Sequence, residues 1–203
     1  MRRLWGRLTS VNVQKAVWAL DEGGFDFERI EAGGAHGVVR EPSYRAMNPN
    51  GLVPTLEEDG FVLWESNAIM RYVASLSPAL ALPADLRERA HVEQWVDWQA
   101  TSFTPAMRDA FWQLFRMAEP DMALVAKSLA ASEIHAGILD AHLAGRDYAV
   151  GDDFSIADIA LGCAAHRWLN LPADRSERPN LRRWYERIAA RPGAARVMGA
   201  PVG

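Results

Sequence analysis

The chain has 203 residues, of which 49% are hydrophobic and 24% charged, a balance that excludes collagen-like, low-complexity and wholly disordered polypeptides. Lys and Arg number 22 against 26 Asp and Glu, and a formal net charge of -4 without a basic run excludes the electrostatic footprint of a nucleic-acid binder. The single Cys163 excludes an intramolecular disulfide framework and a multi-cysteine zinc site, and points to a reducing compartment.

Met1-Arg2-Arg3 opens like a signal peptide, but Leu4-Trp5-Gly6-Arg7 cuts the apolar run too early for one. No stretch approaches the ~18 apolar residues of a membrane span, so the expected location is cytoplasmic, with no membrane partner. Leu4-Trp5-Gly6 is a brief apolar start. From Asn12 to Glu22, Val13, Ala16, Val17 and Leu20 recur at helical spacing, and Gly23-Gly24 stops that helix. Phe25-Asp26-Phe27-Glu28 alternates like a strand, and residues 31–50 read as a long loop. Val53-Pro54-Thr55-Leu56 and Phe61-Val62-Leu63-Trp64 flank an Asp59-Gly60 turn, the pattern of a hairpin. A helix follows, opened by Ser66 as N-cap, with Ile69, Tyr72 and Val73 on its buried side. The order β-α-β-loop-β-β-α fits a small α/β sandwich over residues 1–76.

Ser75 to Pro83 reads as a linker, and residues 84–203 read as an all-helical domain. Leu86, Val92, Trp95, Val96, Phe103 and Phe111 predict a long helix from Asp85 to Phe115, bent at Pro105. Further helices run from Asp121 to Leu143, from Ser155 to about Asn170, and from Pro179 to near Arg191. Met107, Phe111, Leu114 and Phe115 form a core stripe, and Trp112 and Arg116 on a neighbouring face are candidates for contact with a second substrate.

Three places carry chemistry. Pro54 at a strand start gives up a ladder donor, and a cis Val53-Pro54 bond would leave the Val53 backbone able to pair with an extended ligand. Ser66 at a helix N-terminus can cap that helix or seat a carboxylate there, while Glu65 beside it can meet an ammonium group. Ser10 and Asn12, between the first strand and the first helix, can act as turn and cap or as donors to a thiolate. Lowering a thiol pKa by two units takes about 2.7 kcal/mol, within reach of a hydroxyl, an amide and a helix terminus acting together.

Asn48-Pro49-Asn50-Gly51-Leu52-Val53-Pro54-Thr55-Leu56, then Trp64-Glu65-Ser66-Asn67-Ala68-Ile69 and Tyr72, resemble the glutathione-binding half of cytosolic glutathione transferases. Gly151-Asp152-Asp153-Phe154-Ser155-Ile156-Ala157-Asp158 resembles that family's helix-capping motif in the helical half. The resemblance implies a thioredoxin-like N-terminal domain, an all-α C-terminal domain and a homodimer. It implies that Val53, beside a cis Pro54, meets the cysteinyl part of glutathione as co-substrate, and that Glu65 and Ser66 hold its γ-glutamyl end. Ser10-Val11-Asn12 is similar to the Ser/Thr-x-Asn pattern of bacterial and fungal members, which makes Ser10 and Asn12 the catalytic candidates. Ser155 and Asp158 match a capping box that serves folding.

There is no tyrosine before Tyr44 and no cysteine near Ser10, so the tyrosine-activated and cysteine-type mechanisms are not expected. Cys163 reads as a buried small apolar residue. His36 and Arg40 lie in the loop where the glycine carboxylate would be anchored, and neither is assigned that role. The expected activity is transfer of glutathione to a small, mostly apolar electrophile, without a metal. The alternatives are a glutathione-dependent disulfide-bond reductase or peroxidase, and a non-catalytic binding module of the same fold.

Overall fold

Four short strands and the helices between them build the first part of the chain. The computed structural model describes residues 1–80 and 82–202. It divides into two units, Met1–Ala81 with Pro192–Ala200 and Leu82–Arg191 with Pro201–Gly203.

In the first unit, β1 (Arg2–Trp5) is followed by α1 (Val11–Glu22), β2 (Glu28–Ile30), a 3-10 turn at Gly34–His36 and α2 (Pro42–Met47). The hairpin β3 (Thr55–Glu58) and β4 (Phe61–Trp64) then leads into α3 (Ser66–Leu76). The sheet order is β2-β1-β3-β4, with β1 and β2 parallel and the other pairs antiparallel. This is the thioredoxin-like α/β arrangement expected from the sequence. Val13, Ala16, Val17 and Leu20 are fully buried, as their spacing predicts. Asp59 and Gly60 both take positive φ, 48° and 87°, the geometry that matches a two-residue turn to the twist of its strands.

The structure differs from the sequence reading in three places here. The second strand begins at Glu28 instead of Phe25, because pairing with β1 starts at Arg3↔Glu28 and the alternating Phe25 and Phe27 precede it. Those two rings lie under guanidinium groups, Arg2 over Phe25 at 4.3 Å and Arg196 over Phe27 at 5.0 Å. The long loop holds α2, opened by Pro42 and anchored by the fully buried Tyr44. One buried aromatic per helix leaves no period to read, which is why α2 escapes a pattern search. Finally, Pro192–Ala200 packs with the first unit, although the sequence reading gave it to the helical domain. Its short helix α9 (Ala195–Met198) buries Val197, and Arg196 pairs with Asp21 of α1 at 3.2 Å.

The second unit comprises α4 (Leu86–Trp98), a π-helical turn at Gln99–Phe103, α5 (Thr104–Arg116), α6 (Met122–His142), α7 (Ile156–Leu169) and α8 (Pro179–Ala189). The bend predicted at Pro105 appears as that π turn. Proline has no N–H for the carbonyl of Thr101, and its ring would collide with it in a regular α-helix, so the backbone widens just upstream. Leu86, the first residue of the pattern that predicts this helix, is 78% exposed in the first turn of α4.

Helix α7 is buried almost throughout and forms the axis of this unit. Ser155 and Asp158 make the expected capping box. Asp158 also accepts from the backbone N–H of Ala149 and from Trp184 Nε1, both at 2.8 Å, which ties the preceding loop and α8 to the start of α7. By length and composition α6 is apolar enough to cross a membrane, a feature the sequence reading did not register. It packs along α5, and its Glu133 and Asp140 bond to the residues that open α8, while Met122, Ile134 and Ile138 stay exposed.

Candidate functional site

Helices α1 and α3 start without a side-chain cap, as do the shorter α2 and α9 of the same unit. Helix α1 has Ser10 at its N-cap; the Ser10 carbonyl accepts from Gln14 N–H at 2.9 Å, and its hydroxyl bonds to no first-turn amide. Helix α3 has Glu65 at its N-cap, since the Glu65 carbonyl accepts from Ile69 N–H at 2.9 Å. Ser66, expected as that cap, is therefore the first helical residue. Glu65 sits at φ 72°, a left-handed conformation that a residue with a Cβ adopts at a cost of about 1–3 kcal/mol. Neither first turn carries an acidic side chain, so both positive helix ends are left uncompensated by their own sequence.

Ser66 Oγ instead donates to Asn12 Oδ1 at 3.3 Å, joining the starts of α1 and α3. The pair orients the Asn12 amide. With its carbonyl oxygen taken by Ser66, the Asn12 NH2 group is the part left to donate. Asn12 also lines a cleft of about 110 Å³ with Asn48, Asn50, Leu52, Val53, Pro54, Glu65 and Ser66. Five of the six residues singled out from the sequence thus meet on one cleft. Ser10 does not line it, and neither do His36 and Arg40.

The loop that carries Val53 is built by residues the sequence reading did not assign. Asn48, 2% exposed, donates to the Leu52 carbonyl at 2.9 Å and to Thr55 Oγ1 at 3.2 Å, and its Oδ1 accepts from Asn50. Tyr44 donates to the same Leu52 carbonyl at 2.6 Å, and its hydroxyl lies 2.9 Å from Thr55 Oγ1. Burial pushes the Tyr44 phenol above its ordinary value, so it stays neutral and a donor at physiological pH. The loop then enters β3 through a cis Val53-Pro54 bond. On the other side Gly6 passes Val53 so closely that a Cβ there would stand 2.4 Å from Val13 Cγ2 and 3.3 Å from Val53 Cβ. The short Asn-Pro-Asn-Gly run was the signal available for this scaffold, but the buried Tyr44 and Thr55 that complete it are remote in the pattern.

Several polar groups of the site are left uncommitted. Among the described residues, no hydrogen bond is made by the backbone N–H or C=O of Val53, the Ser66 N–H, the Ser10 hydroxyl or the Glu65 carboxylate. Of these, the Val53 backbone, the Ser66 N–H and the Glu65 carboxylate belong to residues that line the cleft and are open to a ligand there. A cleft of 110 Å³ is smaller than the 300 Å³ or more that encloses a typical small ligand, so it seats one portion of an extended molecule.

Residues 2–75 match the glutathione S-transferase N-terminal domain family and residues 103–192 match the C-terminal domain family. The chain is 37% identical to glutathione S-transferase GstB of Escherichia coli over the full length of both proteins. It is 32% identical to glutathione S-transferase 3 of Zea mays, across 98% of this chain and 93% of that one. Among solved structures it superposes with a TM-score of 0.95 and 42% identity on the theta class glutathione S-transferase of Xanthomonas axonopodis pv. citri with glutathione bound, covering 100% of this chain and 99% of the other. The cleft at the joined starts of α1 and α3 and the extent of these matches lead to one assignment: the chain belongs to the glutathione S-transferase family.

Proposed function

We propose that the protein is a glutathione transferase that binds glutathione in the Asn12–Val53–Glu65 cleft and directs its thiolate at a small, mostly apolar electrophile. The observation that carries this reading is the set of uncommitted polar groups on one cleft, which has the donor and acceptor order of an extended γ-glutamyl peptide. The Val53 N–H and C=O meet the cysteinyl backbone as an added strand would. The Ser66 N–H and the start of α3 take the γ-glutamyl carboxylate, and Glu65 takes its ammonium group.

Asn12 is the donor to sulfur, its amide oriented by Ser66, and Ser10 at the head of α1 adds a hydroxyl. The thiol proton leaves to solvent. The thiolate then forms a carbon–sulfur bond while the electrophile releases its leaving group or accepts the electron pair by addition. The chain's contribution is to stabilise the anion before the attack, which is worth about 1.4 kcal/mol for each unit by which the thiol pKa falls. The protein acts as a cytoplasmic homodimer in this reading. Its buried, unbridged Cys163 and the exposed Phe61 and Trp64 on edge strand β4 support those two points.

Titration with glutathione near neutral pH, followed by the ultraviolet absorbance of bound thiolate, tests the proposal. A saturable rise is expected, abolished in Asn12→Ala and reduced in Ser10→Ala. Saturable binding without the rise would indicate a carrier or use of the disulfide form, and no binding at millimolar glutathione would overturn the reading.

A further inference from the structure

The second unit holds a basic cavity that the transfer chemistry leaves unused. It has a volume of about 330 Å³ and lies where the end of α7 runs through a short loop into α8. Arg175, Arg178 and Arg182 line it, and Trp168, Leu169 and Pro179 give it an apolar wall. All these residues belong to the second unit, so the cavity shares none with the cleft at α1 and α3.

The fold asks different things of the three arginines. Arg175 closes the end of α7, donating to the carbonyl of Leu169 at 2.7 Å and to that of Leu171. Arg178 ties α8 to α6 through the carbonyl and the carboxylate of Glu133, at 3.3 and 3.2 Å. Both of those bonds leave from Nη2, and the buried Nε has no acceptor. The Arg182 guanidinium makes no hydrogen bond or ion pair with the described residues. Its removal therefore costs the fold nothing that the structure shows.

The carboxylates of this region do not cancel the charge. Glu133 is held by Arg178 and the Ser176 N–H, and Asp140 by the Leu181 N–H and Asn180 at the start of α8. Glu177 lines the cavity, opposes an anion there, and pairs with no cation among the described residues. The lining thus carries three cations and one carboxylate. Burial holds the Arg175 guanidinium below its ordinary pKa and the Arg182 charge adds to that, while Glu133 and Asp174 act the other way. Guanidinium groups gathered on a concave wall repel one another and focus a positive field, and their paired N–H donors match the oxygens of a phosphate. A volume of 330 Å³ lies at the lower end for small-molecule sites, so the ligand is compact.

We propose that this cavity is a second ligand site that takes a small phosphate monoester as its dianion, with Arg182 recognising the phosphate and Arg175 and Arg178 forming the fixed positive wall beside it. The excess of cations in the lining favours a dianion over a carboxylate. The proposal does not depend on the reading of the other cleft.

Calorimetric titration of the full chain with phenyl phosphate, in low salt and above neutral pH, tests it. The chain carries a net charge of -4, so a dianion binds only where the local field is reversed. Saturable binding is expected, with benzoate, a monoanion bearing the same ring, at least tenfold weaker. Arg182→Gln is expected to weaken phenyl phosphate about tenfold, the loss of one charge-assisted contact, and Glu177→Gln to tighten it about threefold. Arg187→Gln makes the same change in net charge on the same helix, at a residue that pairs with Asp147 and lies outside the cavity. Its affinity is expected to stay within about twofold of wild type.

No saturable binding at about 10 mM phenyl phosphate overturns the proposal, as does benzoate binding equally well. An unchanged affinity in Arg182→Gln places the ligand elsewhere and overturns it too, and so does an equal loss in Arg187→Gln. If Arg182→Gln does not fold, Glu177→Gln decides: tighter binding supports the site, and unchanged binding overturns it.

Discussion

Ser66 and Ser155 stand at the heads of two helices and look alike in sequence, yet the fold uses them in opposite ways. Ser155 is a true N-cap. Its hydroxyl accepts from the Ala157 N–H at 3.2 Å, and Asp158 reaches back to the Ser155 N–H at 3.0 Å, so the end of α7 is closed from within. Ser66 is one residue too late to cap α3, and its hydroxyl turns to Asn12 while its amide stays uncommitted. A helix start that satisfies its own amides is structural; one that leaves them uncovered beside a cleft is available to an anion. The difference shows where to expect lost stability and where to expect lost activity.

The largest expected effect lies at the closed helix start. Asp158 is fully buried and accepts from Ala149, Ser155 and Trp184. Asp158→Ala strands those donors and is expected to cost about 3–4 kcal/mol in denaturant unfolding at pH 5. A loss below about 1 kcal/mol would mean that the box is ornamental.

The same carboxyl predicts a pH dependence. Burial pushes its pKa up to about 6 from the ordinary 3.8, against the hydrogen bonds that favour the anion. The folded state therefore holds this proton more tightly than the unfolded chain does. The stability it confers is complete below the unfolded value and is lost as pH rises through about 6. Between pH 4 and pH 7 the stability gap between wild type and Asp158→Asn is expected to shift by about 3 kcal/mol to the disadvantage of the wild type. A gap that stays constant across that range would rule out the raised value.

At the open helix start the effects move from stability to turnover. Asn12→Ala is expected to lower kcat/KM about 100-fold, the loss of one preorganised donor to a developing anion, with unfolding midpoints nearly unchanged. Ser66→Ala removes only the hydroxyl that orients Asn12. Its expected loss is about tenfold, and the double variant should fall little below Asn12→Ala alone, since the two act as one unit. Additive losses would show that Ser66 acts on the ligand through a route independent of Asn12.

Much of this was legible in the residues. The core stripe of α1, the Asp59-Gly60 hairpin, the capping box of α7 and the residues Asn12, Val53, Pro54, Glu65 and Ser66 all follow from period, turn chemistry or motif, because each depends on neighbours within a few positions. Helix α2 did not, since one buried tyrosine and a leading proline leave no stripe. The attachment of Pro192–Ala200 to the first unit did not either, because the Arg196–Asp21 pair spans most of the chain.

The sequence by itself determined the two-part architecture, the strand order and the helices that carry an apolar stripe, and it singled out five residues that line one cleft. Only the tertiary structure decided how they meet. It moved the cap of α3 from Ser66 to Glu65. It also turned Ser66 into the partner of Asn12. Spacing along a chain sets which face of an element a side chain occupies, but a hydrogen bond between residues 54 positions apart exists only once two helices have packed against one another.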